Sequence, residues 1–146
     1  MGFSVSGSAA IVFVGLFVAF GMFYTATANG FENVHEAQDD RTDRTIVAQN
    51  TAIDLTLAEY NSTAEELTVR ANNTGATELT VGDVDLLADN RYLSAYATEV
   101  DGDPDTDLWL PQERLTINAS LGTDPGRVKL VTGPGVAATE RTEVVT

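Results

Sequence analysis

Cysteine is absent from the 146 residues, lysine occurs once, at Lys129, and histidine once, at His35. Without cysteine there is no disulfide framework, thiolate metal site or cysteine nucleophile. A Ser-His-acid group would have to run through His35, which lies close to the apolar N-terminus and far in sequence from any serine elbow. His35 is read as a surface residue. Gly133-Pro134-Gly135 lacks the Lys-Ser/Thr and following helix of a phosphate loop. Cations are scarce too, with eight Lys and Arg against 22 Asp and Glu and a formal net charge of −14. That balance excludes nucleic acid and anionic lipid surfaces as partners, since both select basic patches. No catalytic residue is assigned, and the chain is read as a non-enzyme.

The other absence is local. MGFSVSGSAAIVFVGLFVAFGMFYTATANGF holds no charged side chain, and the first is Glu32. A cleavable signal has a charged start and a short apolar centre. Here no Lys or Arg precedes the apolar run, which continues unbroken from Ala9 to Tyr24. The stretch reaches the roughly 20 residues that cross a bilayer as a helix. It shows no polar face, as a soluble core helix would. A retained transmembrane helix is expected over residues 1–28. Gly15 with Ala19, and Gly21 with Thr25, have the small-xxx-small spacing that lets helices pack closely in a bilayer.

What is abundant is acid and threonine. Residues 29–50 are polar, free of Pro and helix-compatible, and are read as a polar helical stalk. Its apolar stripe, Phe31 and Val34, is too thin to pack a core. Excess Asp and Glu with almost no Lys resembles the composition of halophile proteins, and is expected of a domain kept soluble where salt screens self-repulsion.

From Thr51 the apolar period becomes two. Ile53, Leu55 and Leu57 alternate with Asp54 and Thr56, and Leu67, Val69 and Ala71 with Thr68 and Arg70. Shorter runs surround Thr80, Thr116 and Lys129. Turn signals punctuate them at Asn72–Gly75, Ala88–Asn90, residues 101–107, Asp124–Gly126 and Gly133–Gly135. The pattern predicts an all-β, immunoglobulin-like sandwich of about seven strands over residues 51–146. Trp109, beside Leu108 and Leu110, is expected in the core or at a sheet edge.

DGDPDTD places Asp101, Asp103, Asp105 and Asp107 at every second position, the way a loop presents oxygens to Ca²⁺. It departs from an EF-hand in having Thr106 for the turn glycine, Gln112 for the closing glutamate, and no flanking helices. A solvated acidic loop is the stronger reading, and no other cofactor is indicated. Three N-x-[ST] sequons, at Asn61, Asn72 and Asn118, mark glycosylation acceptors and favour an exterior face. Asn61 is expected just after a strand, Asn72 in a turn, and Asn118 pointing to solvent with Thr116 and Ser120. Arg41 and Arg44 after the helix would argue the opposite orientation. Long domains, however, translocate largely regardless of charge, and Asp39, Asp40 and Asp43 sit among those arginines.

The start MGFSVSGSAAIVF, one membrane helix, a polar stalk and a Thr-rich β domain with RVKLVTGPGV near its end resemble the FlaF/FlaG (ArlF/ArlG) family of haloarchaeal archaellum accessory proteins, closer to FlaF than to its sister FlaG. The resemblance spans the chain and is strongest in the first thirty residues. It implies a stator in motility: anchored in the cytoplasmic membrane, single-pass, with the sandwich in the pseudoperiplasm binding the S-layer glycoprotein. The sister accessory protein FlaG and the membrane components of the archaellum motor are the implied neighbours, and a homodimer stays open. No catalytic residue comes with the family.

The alternative is a type IV pilin-like or archaellin-like minor filament subunit. Such subunits carry a basic segment before the cut and a glutamate five residues into the mature helix. Nothing basic precedes Gly2, and Gly7 would hold the glutamate position.

Overall fold

A computed structural model describes the backbone of residues 3–146 and the side chains from Gly7 onward. One helix, α1, runs unbroken from Phe3 to Asn50. No proline occurs before Pro104 to interrupt it, and the glycines within it meet no neighbouring group. The chain divides into two compact units, one ending at Asp43 and the other spanning Arg44–Thr146. The last helical turns thus belong with the β part.

Eleven strands follow: β1 (Ile53–Asn61), β2 (Glu66–Asn73), β3 (Leu79–Thr80), β4 (Asp85–Ala88), β5 (Arg91–Leu93), β6 (Ala97–Val100), β7 (Leu108–Trp109), β8 (Arg114–Ser120), β9 (Arg127–Val131), β10 (Ala137–Arg141) and β11 (Glu143–Val145). They form a five-stranded sheet in the order β11-β1-β2-β8-β6, a four-stranded sheet in the order β10-β9-β4-β5, and the small pair β3-β7. The result is the immunoglobulin-like sandwich the alternation predicts. The estimate of about seven strands falls short because β5, β7 and β11 hold only two or three residues each, too few to show a period. Val81 is not in a strand either. It begins a 3-10 turn, Val81–Asp83.

Inward side chains of both large sheets make one core around Leu67, Val69, Leu86, Leu115, Ile117, Val128 and Leu130. Trp109 is wholly buried among them, and its Nε1 donates to the Glu113 carbonyl at 2.9 Å, which meets the polar requirement of a buried indole. Two expected facings change. A β-bulge between Leu55 and Leu57 shifts the register, so Leu57 pairs with Arg70 and Ala58 with Val69. The extra residue turns Leu57 to the outer face and sends Ala58 and Tyr60 into the core. Thr116 is buried rather than solvated, at 8% exposure, covered on its outer face by the flanking Arg70 and Glu99.

At Thr142 the chain leaves β10 in one sheet and enters β11 in the other, where Glu143, Val144 and Val145 pair in parallel with Glu59, Tyr60 and Asn61.

Candidate functional site

The first functional feature is the uncovered helix. From Gly7 α1 is long and apolar enough to cross a membrane, and none of that apolar stretch is buried by the rest of the protein. Phe13, Phe17, Phe20 and Phe23 are each about 70% exposed. A bare aromatic and aliphatic surface of that size is incompatible with water and fits lipid. The apolar part of α1 fits a single membrane anchor. Gly15 and Gly21 have open space where a side chain would be, and Ala19 lies one turn beyond Gly15. Thr25 returns its hydroxyl to the Gly21 carbonyl at 2.7 Å, so the polar atom is satisfied within the helix.

The second feature is the junction between the helix end and the sheets, all within Arg44–Thr146. Thr51 Oγ1 donates to the Val47 carbonyl at 2.8 Å, and Thr77 Oγ1 to the same carbonyl at 3.4 Å. The Ala76 amide donates to the Asn50 carbonyl at 2.8 Å, and those of Thr74 and Gly75 to the Ala52 carbonyl, both at 2.9 Å. Carbonyls that a helix end leaves without partners are thereby bound by the turn after β2. A Cβ on Gly75 would lie 2.5 Å from both the Ala52 nitrogen and the Asn50 oxygen. Only glycine fits that approach.

Asn73 holds this turn in place. Fully buried, it donates through Nδ2 to the Thr77 carbonyl at 2.8 Å and the Trp109 carbonyl at 3.2 Å. Its Oδ1 accepts from the Gly75 amide at 3.1 Å. Three segments meet at one amide. In the sequence Asn73 reads as a turn residue. The available signal was its place in the inward alternation Leu67-Val69-Ala71-Asn73.

The four alternating carboxylates do not converge, and no metal-binding group of three acids or histidines occurs among the described residues. Asp101 Oδ1 accepts from the Arg114 amide, Asp103 Oδ1 from the Asp105 amide, and Asp107 Oδ1 from the Gly82 amide. The left-handed backbone at Asp101 and Gly102 and the isolated Val100–Asp103 bridge fold the segment into tight turns. Asp107 is drawn off to the 3-10 turn.

The sequons share one surface, the outer face of the five-stranded sheet. Asn61 ends β1, and its Oδ1 accepts from the Thr63 and Ala64 amides, each at 2.9 Å. Asn72 lies inside β2 between Asp54 and Arg114, not in a turn. The turn begins only at Thr74, after the inward-facing Asn73 has ended β2. Asn118 is half-buried in β8, its Oδ1 accepting from Thr68 Oγ1 at 3.1 Å.

Two tyrosines carry perturbed hydroxyls. Burial pushes Tyr60 above its ordinary 10.0, with Glu65 and Asp124 adding to the rise, and its hydroxyl donates to the Leu121 carbonyl at 2.8 Å. Burial likewise raises Tyr96, with smaller effects of Tyr92 and Asp85, and its hydroxyl donates to the Val84 carbonyl at 2.6 Å.

Solved archaellum stator proteins are similar to this chain. The periplasmic stator protein FlaG of Sulfolobus acidocaldarius is 15% identical, with a TM-score of 0.44, the match covering 62% of this chain and 97% of that one. The FlaF–FlaG stator complex of the same organism gives 11% identity and a TM-score of 0.42 over 60% of this chain and 85% of that one. A putative phosphatase of Bacteroides thetaiotaomicron gives 16% identity and 0.35, over 66% of this chain and only 17% of the enzyme. No family model and no curated protein matches the sequence.

Proposed function

We propose that the chain is a static, membrane-anchored component of the archaellum. Its exterior sandwich grips the S-layer glycoprotein, giving the rotating filament something fixed to work against. One observation carries the reading: a bare apolar helix continues without a break into a polar stalk, whose last turns are hydrogen-bonded into a rigid β domain. Such an arrangement joins an apolar segment fit for lipid to a folded β module through a polar linker. The sequence resemblance to FlaF and FlaG supplies the assembly, with the sister chain and the motor's membrane components as neighbours. Sequon placement on one outer face supports an exterior orientation and a glycoprotein, and the acid excess supports a saline medium. The fold is given no catalytic step and no cofactor.

The test is co-sedimentation of the compact unit Arg44–Thr146 with purified S-layer sheets in molar salt. Saturable pelleting with the sheets and not with filaments is expected. Pelleting with filaments alone would replace this reading with that of a filament subunit.

A further inference from the structure

The two large sheets differ in charge. Beyond residue 50 the chain has 17 acids against six cations, yet three of the six stand together on the outer face of the four-stranded sheet. β9 alternates burial so that Arg127, Lys129 and Val131 point away from the core. Arg141 lies directly opposite Arg127, and Thr139 opposite Lys129. On the other side Lys129 faces Leu87, which faces Tyr92. A recess of about 230 Å³ is lined by Leu87, Asn90, Arg127, Lys129 and Thr139, with no acid among them. Four other recesses each include a carboxylate.

Acids border this face without entering its recess. Asp89 Oδ2 accepts from the Gly126 amide at 3.2 Å, and Glu140 Oε1 from the Arg141 amide at 3.1 Å. Asp85 sits opposite Val131, two residues along β9 from Lys129 and four from Arg127, and Glu59 and Glu143 share a neighbouring recess with Arg141. Like charges directly opposite on neighbouring strands destabilise a sheet, so Arg127 beside Arg141 is a local cost within the free protein. An anion between them removes it.

We propose that this face docks an acidic segment of a protein partner. Its carboxylates would be gripped by Arg127, Arg141 and Lys129, and an apolar side chain would lie on Leu87 and Tyr92. The Cα atoms of the two arginines lie about 5 Å apart across the strands, so that one extended segment can reach both. Lys129 lies about 7 Å further along the strand, which matches acids at alternate positions of an extended segment. A lipid surface or a nucleic acid is disfavoured because either brings a field of many negative charges against a domain rich in its own. A peptide brings two or three, with apolar residues between them that suit the exposed Tyr92, 60% accessible. The assignment does not depend on which assembly the chain belongs to.

Lys129 makes the test direct, because it is the sole lysine. The full chain in nonionic detergent is treated with poly-L-glutamate and a carbodiimide at ~0.15 M salt, and adducts at Lys129 are counted by peptide mapping. Wild-type chain is expected to give a salt-sensitive adduct there. R127Q/R141Q keeps the amine, and its yield should fall about five- to tenfold, the loss of two modest charge pairs. R70Q, on the opposite sheet, should not alter the yield. Native Trp109 emission verifies folding, and R127Q alone serves if the double variant fails to fold. Equal adduct yield in wild type and arginine variants would mean that Lys129 reacts as an isolated exposed amine, overturning the proposal. Capture by phosphatidylglycerol vesicles through the same residues, without polyglutamate binding, would overturn it equally.

Discussion

Replacing Asn73 by alanine should loosen the junction more than any exposed substitution can. The amide makes three hydrogen bonds at 2.8, 3.2 and 3.1 Å from a position with no solvent exposure. Truncation leaves the Thr77 and Trp109 carbonyls each short of a partner, at about 1–3 kcal/mol for a group left wholly unsatisfied, while the Gly75 amide keeps its bond to the Ala52 carbonyl at 2.9 Å. The carbonyls keep part of their pairing in neighbouring turns and the small β3-β7 sheet, so about 3 kcal/mol in total is expected. For a domain of this size that is a fall in Tm above ~10 °C. Asn73→Asp separates hydrogen bonding from volume. It keeps an acceptor for the Gly75 amide but aims a carboxylate oxygen at two carbonyls, and should cost more than alanine at neutral pH. The assay is urea unfolding of the full chain in nonionic detergent, followed by emission of Trp109, the sole tryptophan, which reports on the sandwich core and not on α1. A shift in midpoint at constant m gives the difference. An alanine variant within 1 kcal/mol of wild type, or an Asp variant more stable than the Ala variant, would refute the account of this amide.

Other outcomes follow from the same geometry. Gly75→Ala should destabilise the domain by more than about 2 kcal/mol by the same unfolding assay, since the clash is with backbone on both sides. Raised hydroxyls on Tyr60 and Tyr96 favour the protonated form in the fold. Stability is therefore flat below pH ~10 and falls as pH climbs above it, because the unfolded chain releases those protons first. A Y60F/Y96F variant should lose that alkaline fall in a pH series of urea midpoints. Millimolar Ca²⁺ at constant ionic strength should leave the midpoint unchanged, because Asp101, Asp103 and Asp107 serve three different backbone amides. In a glycosylating archaeal host, mass mapping should find Asn61 modified before Asn118, whose carbonyl oxygen is held by Thr68 within a half-buried strand.

Much of this architecture was legible in the residues because it depends on long patterns. Thirty-one uncharged residues predict a span, and Leu67-Val69-Ala71 and Leu115-Ile117-Ala119 predict inward faces, since water removes any other arrangement. What stayed hidden depends on single residues or on pairing between distant segments. The bulge that turns Leu57 outward reflects how β1 pairs with β2, not a property of IDLTL itself. Asn73 looks like its neighbour Asn72, and only the fold shows that one amide is buried and the other faces out. The Asp loop shows how far spacing alone reaches. Alternation implies convergence only in an extended or specially curved loop, and tight turns disperse these side chains. The basic face was invisible because Arg127 and Arg141 are neighbours only through β9–β10 pairing.

The lack of cysteine permits the measurement that tests the central claim most directly. A single cysteine at exposed Ser94, in the full chain expressed in its native membrane, is treated with a membrane-impermeant maleimide in intact cells. Labelling is expected without permeabilisation, on a chain that sediments with membranes at full mass. Labelling only after lysis, or a labelled chain free of the membrane, would contradict an exterior sandwich held by a retained helix.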